Sequence, residues 1–431
     1  MPCYNERTLI LIESETWPSM HSNTFHRALA PVDHEQEIAA LSLYHVFEQI
    51  TDRRRPRGKR YSLVLVLSLL TLGKLAGMTT LAAIAEWVRL RADWLHQVLP
   101  AARQQFPCVA TYSNVLRMVD DQEVTHLLAS WLTRLEAERR CAGEPSRLLT
   151  QADAHEQHDQ VVLDGKTLRG TLGHAAPDEP SCHLVALYEA QTGVVLAQQA
   201  VPDKGNEITL EATLLTPAHV TGRIVTADAL HTQRGCCAQI IRCGGDYVLF
   251  AKANQPTLEE DLRLFFSEPP PDCRDWRQAA TCTKGHGRLE RRELIASTEL
   301  NEFLASTWSG VEQVFCLRRS VEQRGQKRSQ TIYGISSLSP KQADASRLLA
   351  LVRAHWHIEN RLHWRRDVTL REDHCQVRKG AAPQVVAALN NLVLALFDFL
   401  GVRNAPQLMR RLDAHPTLAV RLLLRSLLTI K

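Results

Sequence analysis

The sequence predicts an α/β protein, a mixed-sheet catalytic-type core with a β-rich insertion, preceded by an all-α N-terminal domain. Three observations predict it. Apolar residues recur at helical spacing across residues 35–142, short apolar runs between helical stretches replace that pattern from Val161, and residues 261–338 become strand-like and basic. At 431 residues, with roughly 100–200 residues per domain, the chain has room for two or three domains with ample core.

Residues 1–34 carry no sustained periodicity and read as a flexible tail. The helical domain, 35–142, is built on Leu41, Leu43, Val46 and Ile50, then on apolar runs at 62–76, 81–90 and 124–135. Between its first two helices, Arg53, Arg54, Arg55, Arg57, Lys59 and Arg60 crowd into eight residues that include no acid, while Pro56 and Gly58 forbid a continuous helix. Such a loop is either a solvated linker or a set of phosphate contacts. Residues 143–160, rich in Gly, Pro, Ser, Asp, Gln and His, read as a linker to a core domain spanning 161–400.

In that core, Val161, Val162 and Leu163 form a buried run ending on Asp164. Runs at 184–188 and 194–200 flank Gln191, Thr192 and Gly193, the pattern of a hairpin with glycine at a positive φ. A helix over 207–215 leads to a second buried run at 223–227, which again ends on an aspartate, Asp228. A helix over 232–243 closing on Gly244 and Gly245, then a strand at 247–251, completes the order β-β-β-α-β-α-β. The first three strands then run antiparallel and the fourth returns parallel to the first. With those two as neighbours, Asp164 and Asp228 share one sheet edge, where open α/β sheets bind ligands. The insertion, about 261–338, precedes a helix from 341 to about 364, another at 383–400 and a C-terminal helical segment, 401–431.

Composition removes other classes. Basic residues exceed acidic ones by 51 − 47 = 4, too few to argue for nucleic acid without local clusters. Eleven cysteines with no C-x-x-C pair exclude a disulfide framework and a zinc ribbon and fit a reducing compartment. The run Leu9 to Ile12, flanked by Glu6 and Glu13, lacks the length and charge of a signal peptide, so a cytoplasmic protein is expected. The apolar stretch 61–87 is broken by Lys74, Thr79, Thr80 and Glu86 and reads as core, with no membrane partner.

The helix after the insertion carries the third candidate. At 3.6 residues per turn Leu348, Val352, His355, Glu359 and Leu362 fall in one stripe, which would bury Glu359 against the sheet. A buried carboxylate must be protonated, paired or bound to a cation, and Arg361, Arg365 and Arg366 are the alternative partners. Two strand-end aspartates and a glutamate form a hard, all-oxygen set suited to Mg²⁺ or Mn²⁺. Two such ions, about 4 Å apart, activate a water or 3′-hydroxyl and stabilise the leaving oxygen in displacement at phosphorus. Lys166, two residues past Asp164 on the same strand face, is either a phosphate contact or a solvated lysine. Arg318, Arg319, Arg324, Lys327 and Arg328 flank a hairpin tip in the insertion, with Glu322 among them, and favour contact with a DNA backbone.

The motifs D-G-K-T-L-R-G at 164–170, G-N-E-I at 205–208, T-A-D-A-L-H-T-Q at 226–233, K-A-N-Q-P-T-L at 252–258 and H-W-x-I-E-N-x-L-H-W-x-x-D-V at 355–368 carry a resemblance. The chain resembles the H-repeat-associated (ISAs-type) DDE transposases of bacterial insertion sequences, over roughly residues 35–400. The resemblance implies a ribonuclease-H-like core, a family-typical N-terminal associated domain, and a metal-binding catalytic triad on Asp164, Asp228 and Glu359. It implies strand cleavage and transfer at element ends, double-stranded DNA partners (element ends and target), a homodimer on DNA, and a nucleoid-associated place in the bacterial cytoplasm. Related transposases with a β-rich insertion carry a Tyr, an Arg and a Lys seven before, four before and seven after the glutamate. Here those places hold Val352, His355 and Arg366, so only Arg366 keeps its charge, and His355 serves as a DNA-binding cation only when protonated. The rivals are a nuclease that only hydrolyses DNA and a catalytically silent, domesticated DNA-binding protein.

Overall fold

The computed structural model describes residues 42–100, 103, 105–141, 160–172, 182–201, 211–285 and 287–424. The expected tail, nearly all of the expected linker, the G-N-E-I motif and residues 425–431 lie outside the described residues.

Among the described residues no strand precedes Gln160. Three of the helices start where a hydroxyl accepts an orphan backbone N–H: Ser42 caps Leu43–Glu48, Ser62 caps Leu63–Leu75 and Thr80 caps Leu81–Arg89. The long helix Asp121–Cys141 follows, with Asp121 and Glu123 in its first turn and Arg139 and Arg140 in its last, both signs favourable to the helix dipole.

Among the described residues nine strands, β1 to β9 in chain order with the ranges given below, form one sheet in the order β3-β2-β1-β4-β5-β9-β8-β7-β6. Strands β1 (Gln160–Thr167), β2 (His183–Glu189) and β3 (Val194–Val201) are antiparallel neighbours. Gly193 takes φ 76° in the hairpin, as the Gln-Thr-Gly spacing requires. Strand β4 (Ile224–Ala227) lies parallel to β1, with Leu163 opposite Ala227, and β5 (Asp246–Ala251) lies parallel to β4. Gly244, φ 74°, ends the helix Arg234–Arg242 between them.

The β-rich segment adds its strands to this sheet. Strands β6 (Arg277–Gly285), β7 (Arg288–Ser297), β8 (Gln313–Gln323) and β9 (Gln326–Ser336) make an antiparallel meander, and β9 pairs with β5. Beyond it, the helix Ala345–His355 packs on one sheet face. The helix Ala382–Phe399 is long and apolar enough to cross a membrane by composition, yet it lies inside the protein with Leu389, Leu392, Val393 and Leu396 fully buried. It packs against Leu63–Leu75 and Asp121–Cys141, so one continuous core runs from Leu43 to Leu424.

The helix expected over 341–364 is the main departure. Its α-helical part ends at His355, and the chain continues as two π-helical turns, Ile358–His363 and Arg365–Thr369. A π-turn spaces its hydrogen bonds five residues apart instead of four, so side chains beyond His355 leave the 3.6-residue stripe.

Candidate active site

The site is assembled where the parallel pairing of β1 with β4 ends. The parallel register ends with Leu163 beside Ala227. Asp228 follows the last residue of β4, while Asp164 lies inside β1, which does not end on the aspartate as expected but runs on to Thr167 because β2 continues to pair with it. One oxygen of Asp164 accepts the Gly165 N–H at 2.8 Å. Asp228 caps the short turn Ala229–His231, accepting the Leu230 N–H at 3.0 Å. Capping and site membership are therefore compatible, because each carboxylate has a second oxygen.

The π-turn delivers the remaining groups. Donor atoms of Asp164, Glu359 and His363 all lie within 4.8 Å of one another. His363 Nδ1 stands 3.6 Å from Asp164 Oδ2 and 3.7 Å from Glu359 Oε2. His363 was not singled out by sequence reasoning. The available signal was its position four residues after Glu359, which puts the two side chains on neighbouring turns.

The electrostatics are lopsided. Burial, then the negative charges of Glu359 and Asp228, push the Asp164 carboxyl up to about 7. Glu359 is held below the usual carboxylate range, chiefly by His363. Its side chain is 62% exposed, which overturns the expectation of a glutamate buried among apolar neighbours. The reason is the end of the α-helix at His355: the stripe that would have buried Glu359 is not continued. Burial keeps His363 below the ordinary histidine value.

The expected DNA contacts divide into exposed and engaged groups. Lys166 is nearly buried and donates from Nζ to Asp367 Oδ2 at 2.6 Å. Arg366 is fully buried, its Nε donating to Glu372 Oε2 at 2.7 Å. Asn390 donates to the other oxygen of Glu372 and accepts from Lys74 Nζ at 2.6 Å. Arg366 thus anchors the π-turn to the helical core and offers no face to solvent. His355 is buried, its Nδ1 3.2 Å from Thr226 Oγ1 and its ring against Phe250. Burial pushes it down to about 4, so it stays neutral near pH 7 and does not replace a cation.

The basic loop is partly spoken for by acids outside its eight residues. Arg54 is buried, pairs with Asp52 and donates to Tyr61 O, while Arg53 pairs with Asp120 at 2.8 Å. Lys59 donates to Asp52 O but is exposed, as are Arg55, Arg57 and Arg60. In the β8–β9 hairpin, Arg318, Arg324, Lys327 and Arg328 are exposed, and the turn at Arg324 and Gly325 has positive φ at both residues. Arg319 instead pairs with the buried Glu290 and lies over the Trp356 ring. A groove lined by Arg288, Arg292, Arg319, Arg353 and Trp356 opens directly onto Glu359. Arg288, Arg292 and Arg353 were absent from the sequence-level candidates because they come from two elements far apart in the chain.

Two carboxylates and an imidazole in one cluster, with the half-buried Asp164 disfavoured as a bare anion, fit a divalent cation by donor chemistry and by charge. Comparison with known proteins identifies the setting. The Transposase DDE domain profile matches residues 155–396, and the DDE_Tnp_1-associated family matches 44–132. An uncharacterised protein from the dhlA 3′ region of Xanthobacter autotrophicus is 32% identical over 282 residues, covering 65% of this chain and 89% of that one. The H repeat-associated putative transposase YhhI of Escherichia coli K12 is 30% identical over 251 residues, 56% of this chain and 65% of its own. The putative transposase YncI of E. coli O157:H7 is 26% identical over 364 residues, 82% and 87% of the two chains. With more than half of its length matched by the DDE domain profile, the chain belongs to the DDE transposase family, alongside the H repeat-associated putative transposases.

Proposed function

We propose that this insertion-sequence transposase cuts DNA strands at element ends and joins them to target DNA, with Asp164, Asp228 and Glu359 as ligands for Mg²⁺ or Mn²⁺. The observation that carries the reading is the convergence of Asp164 and Glu359 where β1 leaves its pairing with β4, with Asp228 directly following that adjacent parallel strand. When bound, the metal supplies Lewis-acid activation of the attacking hydroxyl and neutralises charge at phosphorus.

The chain's own residues do the rest. Asp164, lifted to about 7, gives up its proton as a cation arrives, so the ligand set is complete only when loaded. The Lys166–Asp367 pair ties β1 to the second π-turn and fixes the segment that carries Glu359. The exposed Arg55, Arg57, Lys59 and Arg60, and Arg318, Arg324, Lys327 and Arg328 on the hairpin, supply phosphate contacts on double-stranded DNA. The strand order β3-β2-β1-β4-β5, with three antiparallel strands followed by two parallel ones, supports a ribonuclease-H-like core. We further propose a homodimer, which would hold two element ends together, acting at the nucleoid in the bacterial cytoplasm.

The test is incubation of the purified chain with labelled duplexes ending in the element's terminal inverted repeat, with Mg²⁺ or Mn²⁺. Joined products support a transposase. Cleavage without joining would favour a hydrolytic nuclease, and a shifted band without chemistry a silent DNA-binding protein.

A further inference from the structure

We propose that His363 is a further ligand of the metal site, placing a nitrogen donor beside Asp164 and Glu359 and biasing the site from Mg²⁺ toward Mn²⁺. This inference rests on the metal-site reading above.

The geometry carries it. A cation held at about 2.1 Å by its ligands keeps neighbouring donors roughly 3.0 Å apart and opposite donors roughly 4.2 Å apart. The 3.6 Å and 3.7 Å separations of His363 Nδ1 from the two carboxylates fall inside that bracket. They are also too long for committed hydrogen bonds, so the nitrogen is near both oxygens and fully satisfied by neither.

The ring has little freedom to leave. His363 is 5% exposed, and among the described residues its buried Nε2 has no hydrogen-bond partner, so none of them draws it off the carboxylates. Its position is set by the π-turn Ile358–His363, which brings residues 359 and 363 to one cluster.

The chemistry follows from the donor set. Carboxylates alone accept Mg²⁺ and Mn²⁺ without strong preference, whereas an imidazole nitrogen is a softer ligand that suits transition metals. A site with one nitrogen among its oxygens therefore selects Mn²⁺.

The experiment uses the full chain, DNA-free, loaded with Mn²⁺ and read by pulsed electron paramagnetic resonance, which detects a nitrogen bonded directly to the ion. Wild type is expected to show ¹⁴N coupling that vanishes in His363→Gln. Competition binding is expected to show the Mn²⁺-over-Mg²⁺ preference falling about tenfold in that variant. A wild-type spectrum without ¹⁴N coupling overturns the proposal, as does coupling that survives His363→Gln. If His363→Gln fails to fold, His363→Asp, which keeps a ligand but makes it oxygen, must lose the coupling. Asp164→Asn separates the two claims. Mn²⁺ bound in an Asp164-dependent manner but without nitrogen coupling removes only His363, while Mn²⁺ binding indifferent to Asp164→Asn removes the site itself.

Discussion

Replacing Asp164 with Asn in the metal-free protein should raise stability above neutral pH. The Asp164 carboxyl is lifted from 3.8 to about 7 by burial and by its acidic neighbours, so folding leaves an ionised Asp164 about 3 pH units out of balance with the unfolded chain. At roughly 1.36 kcal/mol per unit, this amounts to about 4 kcal/mol at most. The sign follows from proton counting. Between about pH 4 and pH 7 the folded state binds more protons than the unfolded one, so wild-type stability falls as pH rises through that window. Below it Asp164 is neutral in both states, and above it the full deficit stands. Asparagine keeps the oxygen that accepts the Gly165 N–H but never ionises. Melting curves in chelator from pH 4 to pH 9 should therefore start together and diverge, with the variant about 4 °C higher at pH 8, each kcal/mol being worth roughly 1 °C in a chain of 431 residues. Added Mn²⁺ should stabilise wild type and leave the variant unmoved. Parallel melting curves across the whole range would refute the argument that Asp164 is a strained anion awaiting a cation.

Glu359→Gln should shift the midpoint of that pH dependence downward, because one of the charges raising Asp164 is gone, while changing the melting temperature at low pH by less than about 1 kcal/mol equivalent, as suits an exposed side chain. An unchanged midpoint would mean the two carboxylates do not feel each other. Arg366→Met should destabilise by about 3–5 kcal/mol in chemical denaturation, since it strands the buried Glu372, and leave the salt dependence of DNA binding unaltered. A soluble, wild-type-stable variant with weakened DNA affinity would put Arg366 back on the surface. Arg55→Ser, Arg57→Ser and Arg60→Ser together should flatten the log–log salt dependence of DNA binding by about 0.9 per lost phosphate contact, whereas Arg54→Ser should chiefly lower the melting temperature. Equal effects of all four on the slope would contradict the division between exposed and buried arginines.

What the sequence made legible was whatever depends on local period and turn chemistry. The buried runs leading to Asp164 and Asp228, the parallel return of the fourth strand, and the positive-φ glycines Gly193 and Gly244 all follow from residues within a few positions of one another, whereas the continuation of β1 past Asp164 to Thr167 depends on its pairing with β2. The fate of Glu359 did not, because a helical stripe extrapolates only while the helix stays α, and the π-turn after His355 has no period-based signature. Charged side chains were misjudged for a related reason. Lys166, Arg54 and Arg366 look like free cations until the fold supplies Asp367, Asp52 and Glu372, and the partners of Lys166 and Arg53 lie on elements distant in the chain. The Arg288–Arg292–Arg353 groove stayed hidden because it forms only when the helix Ala345–His355 packs against β7.

The central claim is that Asp164, Asp228 and Glu359 hold the metal that cuts DNA. The most direct measurement compares strand cleavage of a terminal-repeat duplex in Mn²⁺ by wild type and by Asp164→Asn, Asp228→Asn and Glu359→Gln, with DNA binding measured on the same samples. Each variant is predicted to bind DNA with near wild-type affinity and to cleave at least about a hundredfold more slowly, since phosphate contacts elsewhere survive the loss of a ligand. Cleavage within tenfold of wild type by any of the three, at intact DNA binding, would contradict the account for that residue.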